Sequence, residues 1–173
     1  LKIHEYLQKN PFAKIDCIVV NNPNAGILEK AKTWDCEIIQ ISKNDFYTDK
    51  KISTQLLNRE IDLVILAGFL WLIPDHLLHS FPQKIINIHP ALLPKYGGKG
   101  MYGMNVHKAV FEAKEKESGI TIHTIDEEYD KGKIIFQKSI AIESCKTPEE
   151  IAEKVLQIEH ENFASTIHEY LTK

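Results

Sequence analysis

Apolar positions follow two alternating rhythms along the chain. Short runs rich in β-branched residues, AKIDCIVVNN at 13–22, EIIQIS at 37–42, DLVILAGF at 62–69 and IINIH at 85–89, read as strands. Between them lie stretches with helical spacing or helix punctuation. LKIHEYLQKN at 1–10 reads as a helix already under way. Asn24 is placed to cap a helix reaching about Trp34, and Asp45 to cap one reaching about Asn58, with Leu56 and Leu57 on its apolar side. Pro74 opens a short helix in PDHLLHSF. Asn105 is expected to cap a helix, NVHKAVFEAKEKESG, that stops at Gly119. The rhythm then changes: GITIHTID and KIIFQKSIAI are strand-like runs separated by EEYDKG, a hairpin-like pair. The sequence Thr147-Pro148-Glu149-Glu150 predicts a capping box, and Ile151, Val155, Ile158, Phe163 and Ile167 carry one apolar helix face toward the C-terminus.

Strand–helix alternation of this kind predicts an α/β fold. We expect a three-layer, mostly parallel Rossmann-like sheet with helices on both faces and a mixed C-terminal edge. The unbroken apolar run DLVILAGF fits a strand covered on both sides. With 173 residues, the chain suits a single domain over 1–173.

Charge narrows the function. Lys and Arg number 21 against 24 acidic residues, a formal net charge of −3, and the basic residues are scattered. A nucleic-acid binder would show a basic surplus or stripe, so none is expected as partner. KEKE around Lys114–Glu117 reads as a solvated helix face. The longest apolar candidate, IDLVILAGFLWLIP, is shorter than the roughly 18 residues of a membrane span. No basic-then-apolar leader opens the sequence. Three widely spaced cysteines, Cys17, Cys36 and Cys145, form no CxxC pair and read as thiols in a reducing, cytoplasmic setting.

Candidate chemistry gathers at strand ends. In open α/β sheets ligands bind beyond the carboxyl ends of the strands. That rule brings Ala67–Phe69, Asn87–Pro90 and the loop around Tyr129–Gly132 together. Asn87 and His89 share a strand face, Pro90 stops the strand, and Asp130 is the third polar group. An imidazolium favoured by a nearby carboxylate and a side-chain amide make two donors for a developing oxyanion, and the carboxylate accepts a proton directly or through water. There is no GxSxG elbow and no Ser or Cys in the group, which points to direct transfer onto an external nucleophile. His89, His107 and His123 lie in no metal-ligand spacing, so no metal is expected. The GGKG run, Gly97–Gly100, lacks phosphate-loop spacing and reads as a tight turn beside a ligand.

NIHPALLPKYGGKG, followed by GITIHTIDEEYDKGKIIFQ, resembles the folate-dependent formyltransferases, most closely those acting on glycinamide ribonucleotide. The likeness extends through LVILAGFLWLI upstream and IEHENF near the end. It implies that the amine of glycinamide ribonucleotide attacks the formyl carbon of 10-formyltetrahydrofolate, the co-substrate, in purine (IMP) synthesis. By matching position, Asn87, His89 and Asp130 are the implied catalytic residues. Leu70, Trp71, Leu72, Ile73, Asn87, Tyr129 and Asp130 are implied on the folate side, and His89, Pro90 and Glu159 on the ribonucleotide side. Trp71 departs from the basic residue usual there. The implied partners are these small molecules, for a monomer or homodimer. The family opens with a strand and a G-x-G-S/T-N loop that holds the substrate phosphate. The resemblance implies such a segment ahead of Leu1 in the natural protein, absent from this sequence.

Three alternatives stay in view. Methionyl-tRNA formyltransferases carry a similar strand-end block with an added RNA-binding domain, which a mildly acidic chain ending soon after its last helix does not fit. An amino-sugar formyltransferase would share the trio. A non-catalytic folate-binding module would have no need of all three side chains.

Overall fold

The computed structural model describes all of residues 1–173. In chain order the elements are α1 (Lys2–Lys9), β1 (Cys17–Val20), α2 (Ile27–Ala31), β2 (Glu37–Gln40), α3 (Lys43–Tyr47), α4 (Lys51–Asn58), β3 (Val64–Leu66), α5 (Asp75–Ser80), β4 (Ile85–His89), α6 (Met104–Glu112), β5 (Glu117–Thr124), β6 (Ile134–Ala141) and α7 (Pro148–Leu171). β1 pairs with β2 in parallel, and β3 with β4 in parallel. β5 and β6 then add antiparallel strands, giving the order β3–β4–β5–β6 and the mixed C-terminal edge expected.

β4 is the spine. Its period of two sends neighbouring isoleucines to opposite faces. Ile85 joins Ile39, Phe46, Ile52, Leu56, Leu66 and Leu77 in a core beneath α3, α4 and α5. Ile86 and Ile88 join Val110, Ile120, Ile122, Ile151, Val155 and Ile158 in a second core beneath α6 and α7. Helices therefore cover both faces. The residues of β4 not spent on packing, Asn87 and His89, alternate onto the face of Ile85 at the strand's carboxyl end.

Several element ends differ from the sequence reading. The helix after Asn24 starts only at Ile27, with Gly26 at its N-cap. Ser42, not Asp45, caps α3: its hydroxyl accepts from the Asp45 N–H while the Asp45 carboxylate accepts from the Ser42 N–H. The single helix expected to Asn58 is two, broken where Lys50 turns to φ 50°. Leu57 faces solvent while Leu56 is buried. Pro74 is the N-cap of α5, so the helix begins one residue later than expected, at Asp75. Gly103, not Asn105, stands at the N-cap of α6, and the helix ends at Glu112, well before Gly119. Lys114 takes the left-handed conformation at φ 54°, with Lys114 N–H bonded to the Phe111 carbonyl and Glu115 N–H to the Val110 carbonyl. That is a Schellman stop made without glycine. The KEKE run is thus a turn leading into β5, and Gly119 lies within that strand, where a Cβ would collide with the Lys138 carbonyl. At α7 Thr147 caps the Glu150 N–H as expected, but the Glu150 carboxylate accepts from Lys146 N–H at 2.6 Å instead of closing the box on Thr147.

Candidate active site

Two loops meet above the end of β4. One leaves β4 through Pro90 to Gly103; the other joins β5 to β6 and carries Tyr129 and Asp130. Glycine permits the meeting. A Cβ on Gly97 would lie 2.5 Å from Leu93 Cδ2 and 3.2 Å from Asp130 Cβ, and one on Gly132 would collide with the Thr124 carbonyl. Asp130 itself sits at φ 57°, a conformation Asp tolerates better than most side chains.

The structure brings Asn87, His89 and Asp130 together. His89 is 3% exposed. Its Nε2 lies 2.8 Å from the Tyr96 carbonyl. A carbonyl only accepts, so Nε2 carries the hydrogen. Nδ1 then faces Asp130 Oδ1 at 3.6 Å. Asp130 Oδ2 accepts the Gly98 N–H at 2.8 Å.

Electrostatics treat the pair unequally. Burial holds the His89 ring below its ordinary value, and the opposing pull of Asp130 and the Tyr96 carbonyl does not restore it. The imidazolium expected from the sequence is therefore not the favoured form in this structure: desolvation outweighs the carboxylate. A neutral His89, its Nε2–H committed to Tyr96, has no free donor until a proton reaches Nδ1. Asp130 behaves oppositely. Burial pushes its carboxyl up, but the His123 ring, the Gly98 N–H and the His89 ring beside it hold it below the usual range. Asp130 is thus held in its ionised form, with one oxygen fixed by Gly98.

His123 was not singled out from sequence as part of this group. It is fully buried on β5, opposite Asn87. Its Nε2 is 3.4 Å from Asn87 Nδ2 and 3.5 Å from Asp130 Oδ1. The signal that could have found it is the TIH run on a strand pairing with IINIH, but cross-strand register is not legible in one sequence.

The implied folate residues divide. Leu70 and Leu72 are exposed at 54% and 37%, and Tyr129 at 40%. Trp71 is half-buried in an aromatic cluster with Phe46, Tyr47 and Phe69. Ile73 packs into the core at 6% exposure, away from any surface a ligand could reach. Phe46 and Tyr47 were not anticipated. Burial, followed by the proximity of Tyr129, raises the Tyr47 phenol, so α3 and the Asp130 loop lie near one another. Pro90 is half-buried beside His89. Glu159 on α7 makes no side-chain hydrogen bond or ion pair, and burial alone raises its carboxyl; no contact ties it to the trio. No group of three or more His, Cys, Asp or Glu side chains is arranged to hold a metal ion. No helix is long and apolar enough to cross a membrane.

Known proteins share this arrangement of elements. The formyl transferase family model matches residues 2–167. A phosphoribosylglycinamide formyltransferase of Bacillus subtilis is 34% identical over 168 residues, covering 95% of this chain and 84% of the relative. The chloroplastic enzyme of that name from Arabidopsis thaliana is 38% identical over 172 residues, covering 96% of this chain. The chain spans 59% of the Arabidopsis relative's length and 35% of the Vigna unguiculata one's. Among solved structures, the crystal structure of phosphoribosylglycinamide formyltransferase from Bacillus halodurans superposes with a TM-score of 0.87 at 29% identity, covering 99% of this chain and 89% of that one. A fold, a strand-end site and a match over nearly the whole length agree, and the chain belongs to the formyl transferase family.

Proposed function

We propose that this chain transfers the formyl group of 10-formyltetrahydrofolate to the amine of glycinamide ribonucleotide, a step of purine synthesis. The names of its relatives support the acceptor and the formyl transfer; the observation that carries the chemistry is the ionised Asp130, bonded to Gly98 N–H and flanked by two buried histidines. The amine nitrogen attacks the formyl carbon, forming a C–N bond and moving the carbonyl electrons onto oxygen. An Asn87 Nδ2–H and a protonated His89 stabilise that oxyanion. The amine's proton passes to Asp130, directly or through water. Collapse re-forms the carbonyl and expels folate N10, which takes a proton as tetrahydrofolate leaves. Burial keeps His89 neutral beforehand, so the proton it carries is the one that Asp130 takes from the amine and passes to Nδ1, 3.6 Å away, and that same proton ends on N10.

Leu70, Leu72, Tyr129 and the Trp71 cluster form the folate wall in this reading, and Glu159 reaches the ribonucleotide. We place the protein in a reducing, cytoplasmic setting on its three free thiols. The test is direct: the protein is mixed with 10-formyltetrahydrofolate and glycinamide ribonucleotide, and tetrahydrofolate release is followed with an amino-sugar nucleotide as a parallel acceptor. Turnover only with the sugar reassigns the acceptor, and no turnover with either sinks the proposal.

A further inference from the structure

We infer that His123 is a positioning residue that fixes which way the Asn87 side-chain amide faces; what the amide then does rests on the function proposed above. His123 Nδ1 lies 2.8 Å from the Thr124 carbonyl. The carbonyl can only accept, so Nδ1 carries the hydrogen, and in that tautomer Nε2 is the ring's acceptor. Gly132 supports this arrangement, since any side chain there would strike the same Thr124 carbonyl.

That bare Nε2 stands 3.4 Å from Asn87 Nδ2, across the β4–β5 pairing of Asn87 with His123. A lone pair there tells the two ends of an amide apart: it accepts from the NH2 and repels the carbonyl oxygen. One Nδ2–H of Asn87 is thereby spent on the ring, Oδ1 is turned away, and the second Nδ2–H remains for an oxyanion. With no such partner the amide would be free to present its oxygen to developing negative charge. A charged His123 would do the opposite, donating to Asp130 Oδ1 at 3.5 Å and expelling the Asn87 NH2. His123 does not touch reacting atoms; it acts through Asn87.

Two substitutions separate this role from a scaffolding one. His123→Asn keeps a donor where Nδ1 meets Thr124 but leaves nothing at Nε2. His123→Gln places a polar atom near Nε2 and gives up the Nδ1 contact. We expect His123→Asn to lower kcat about 100-fold, as a misplaced reacting group does, with both KM values within a few-fold. His123→Gln should recover most of that. In an Asn87→Ala background the His123→Asn loss should nearly vanish, because nothing remains to be positioned. Gln as impaired as Asn, or an undiminished loss in the Asn87→Ala background, overturns the inference. Ring ¹⁵N shifts of His123 in the unsubstituted protein give an independent readout: Nδ1 protonated and Nε2 bare near neutral pH is expected, and the reverse tautomer or a doubly protonated ring overturns it. Those shifts decide the matter if the variants fail to fold. Should the unsubstituted protein not transfer formyl at all, the function falls while the shifts still judge His123.

Discussion

Asp130 is the residue on which the proposed chemistry turns. Its carboxylate is ordered by one backbone N–H and set against two imidazoles, so Asp130→Asn keeps the shape and removes the acceptor. Turnover should fall by about 10²–10⁴-fold, the usual range for a lost general base, while formyl-folate affinity changes far less. Equal losses in steady-state kcat and in folate titration would refute that division of labour. The buried histidines give a second expectation. Burial first, and for His107 also the charge of His89, holds both rings below the ordinary 6.5. Below 6.5 the unfolded chain therefore binds more protons than the folded one, and this contribution to stability is full above 6.5 and lost as pH falls. Glu159, raised by burial above 4.5, contributes in the opposite sense, losing its share as pH rises through its folded value. Urea midpoints should drop between pH 7 and about pH 5, and His89→Gln should flatten that slope; an unchanged slope would rule His89 out as its source. At this scale the sequence singled out Asn87, His89 and Asp130, which the structure gathers at one strand end, but not the protonation of His89. A carboxylate neighbour was legible, whereas the degree of desolvation depends on packing around the whole ring.

Elements were legible in kind more than in extent. Every expected strand formed, and all but β5, which starts two residues early at Glu117, lie inside the run that announced them, because apolar β-branched stretches have few other ways to be buried. Ends were harder. α6 stops at Glu112 through left-handed Lys114, and α4 stops at Asn58 the same way through Glu60, whose N–H bonds Leu57 while Ile61 N–H bonds Leu56. A search for glycine misses both. The break between α3 and α4 likewise rests on Lys50 at φ 50°. A non-glycine residue there costs roughly 1 kcal/mol or more. Lys50→Gly should therefore raise the unfolding free energy by up to about 1 kcal/mol in urea titration, less what glycine's own flexibility takes back. A loss of stability would mean that the lysine side chain contributes something the backbone argument omits.

At the level of the whole molecule, β4 joins two cores and ends in the site, so substrate binding and global stability are linked. A ligand held only by the folded chain adds about 2.7 kcal/mol when present at 100 times its Kd. Titrating a non-reactive folate analogue should raise Tm progressively with concentration, and Trp71→Ala should shift that curve to higher concentrations. A concentration-independent Tm would separate the aromatic wall from ligand binding. The α/β class and the mixed edge were readable from the order of runs. The coming together of Asn87 with His123 was not, since it depends on a register that only the paired strands define.

The Gly98–Asp130 contact has a mechanical side as well. One oxygen of Asp130 fastens the loop after β4 to the loop after β5, while the other serves the imidazoles. The group that is to take up a proton is also the clasp between the two walls of its own chamber. A neutral Asp130 would accept less strongly from Gly98 N–H, so in the mechanism proposed above the tie between the two loops would be weakest while the residue holds its proton.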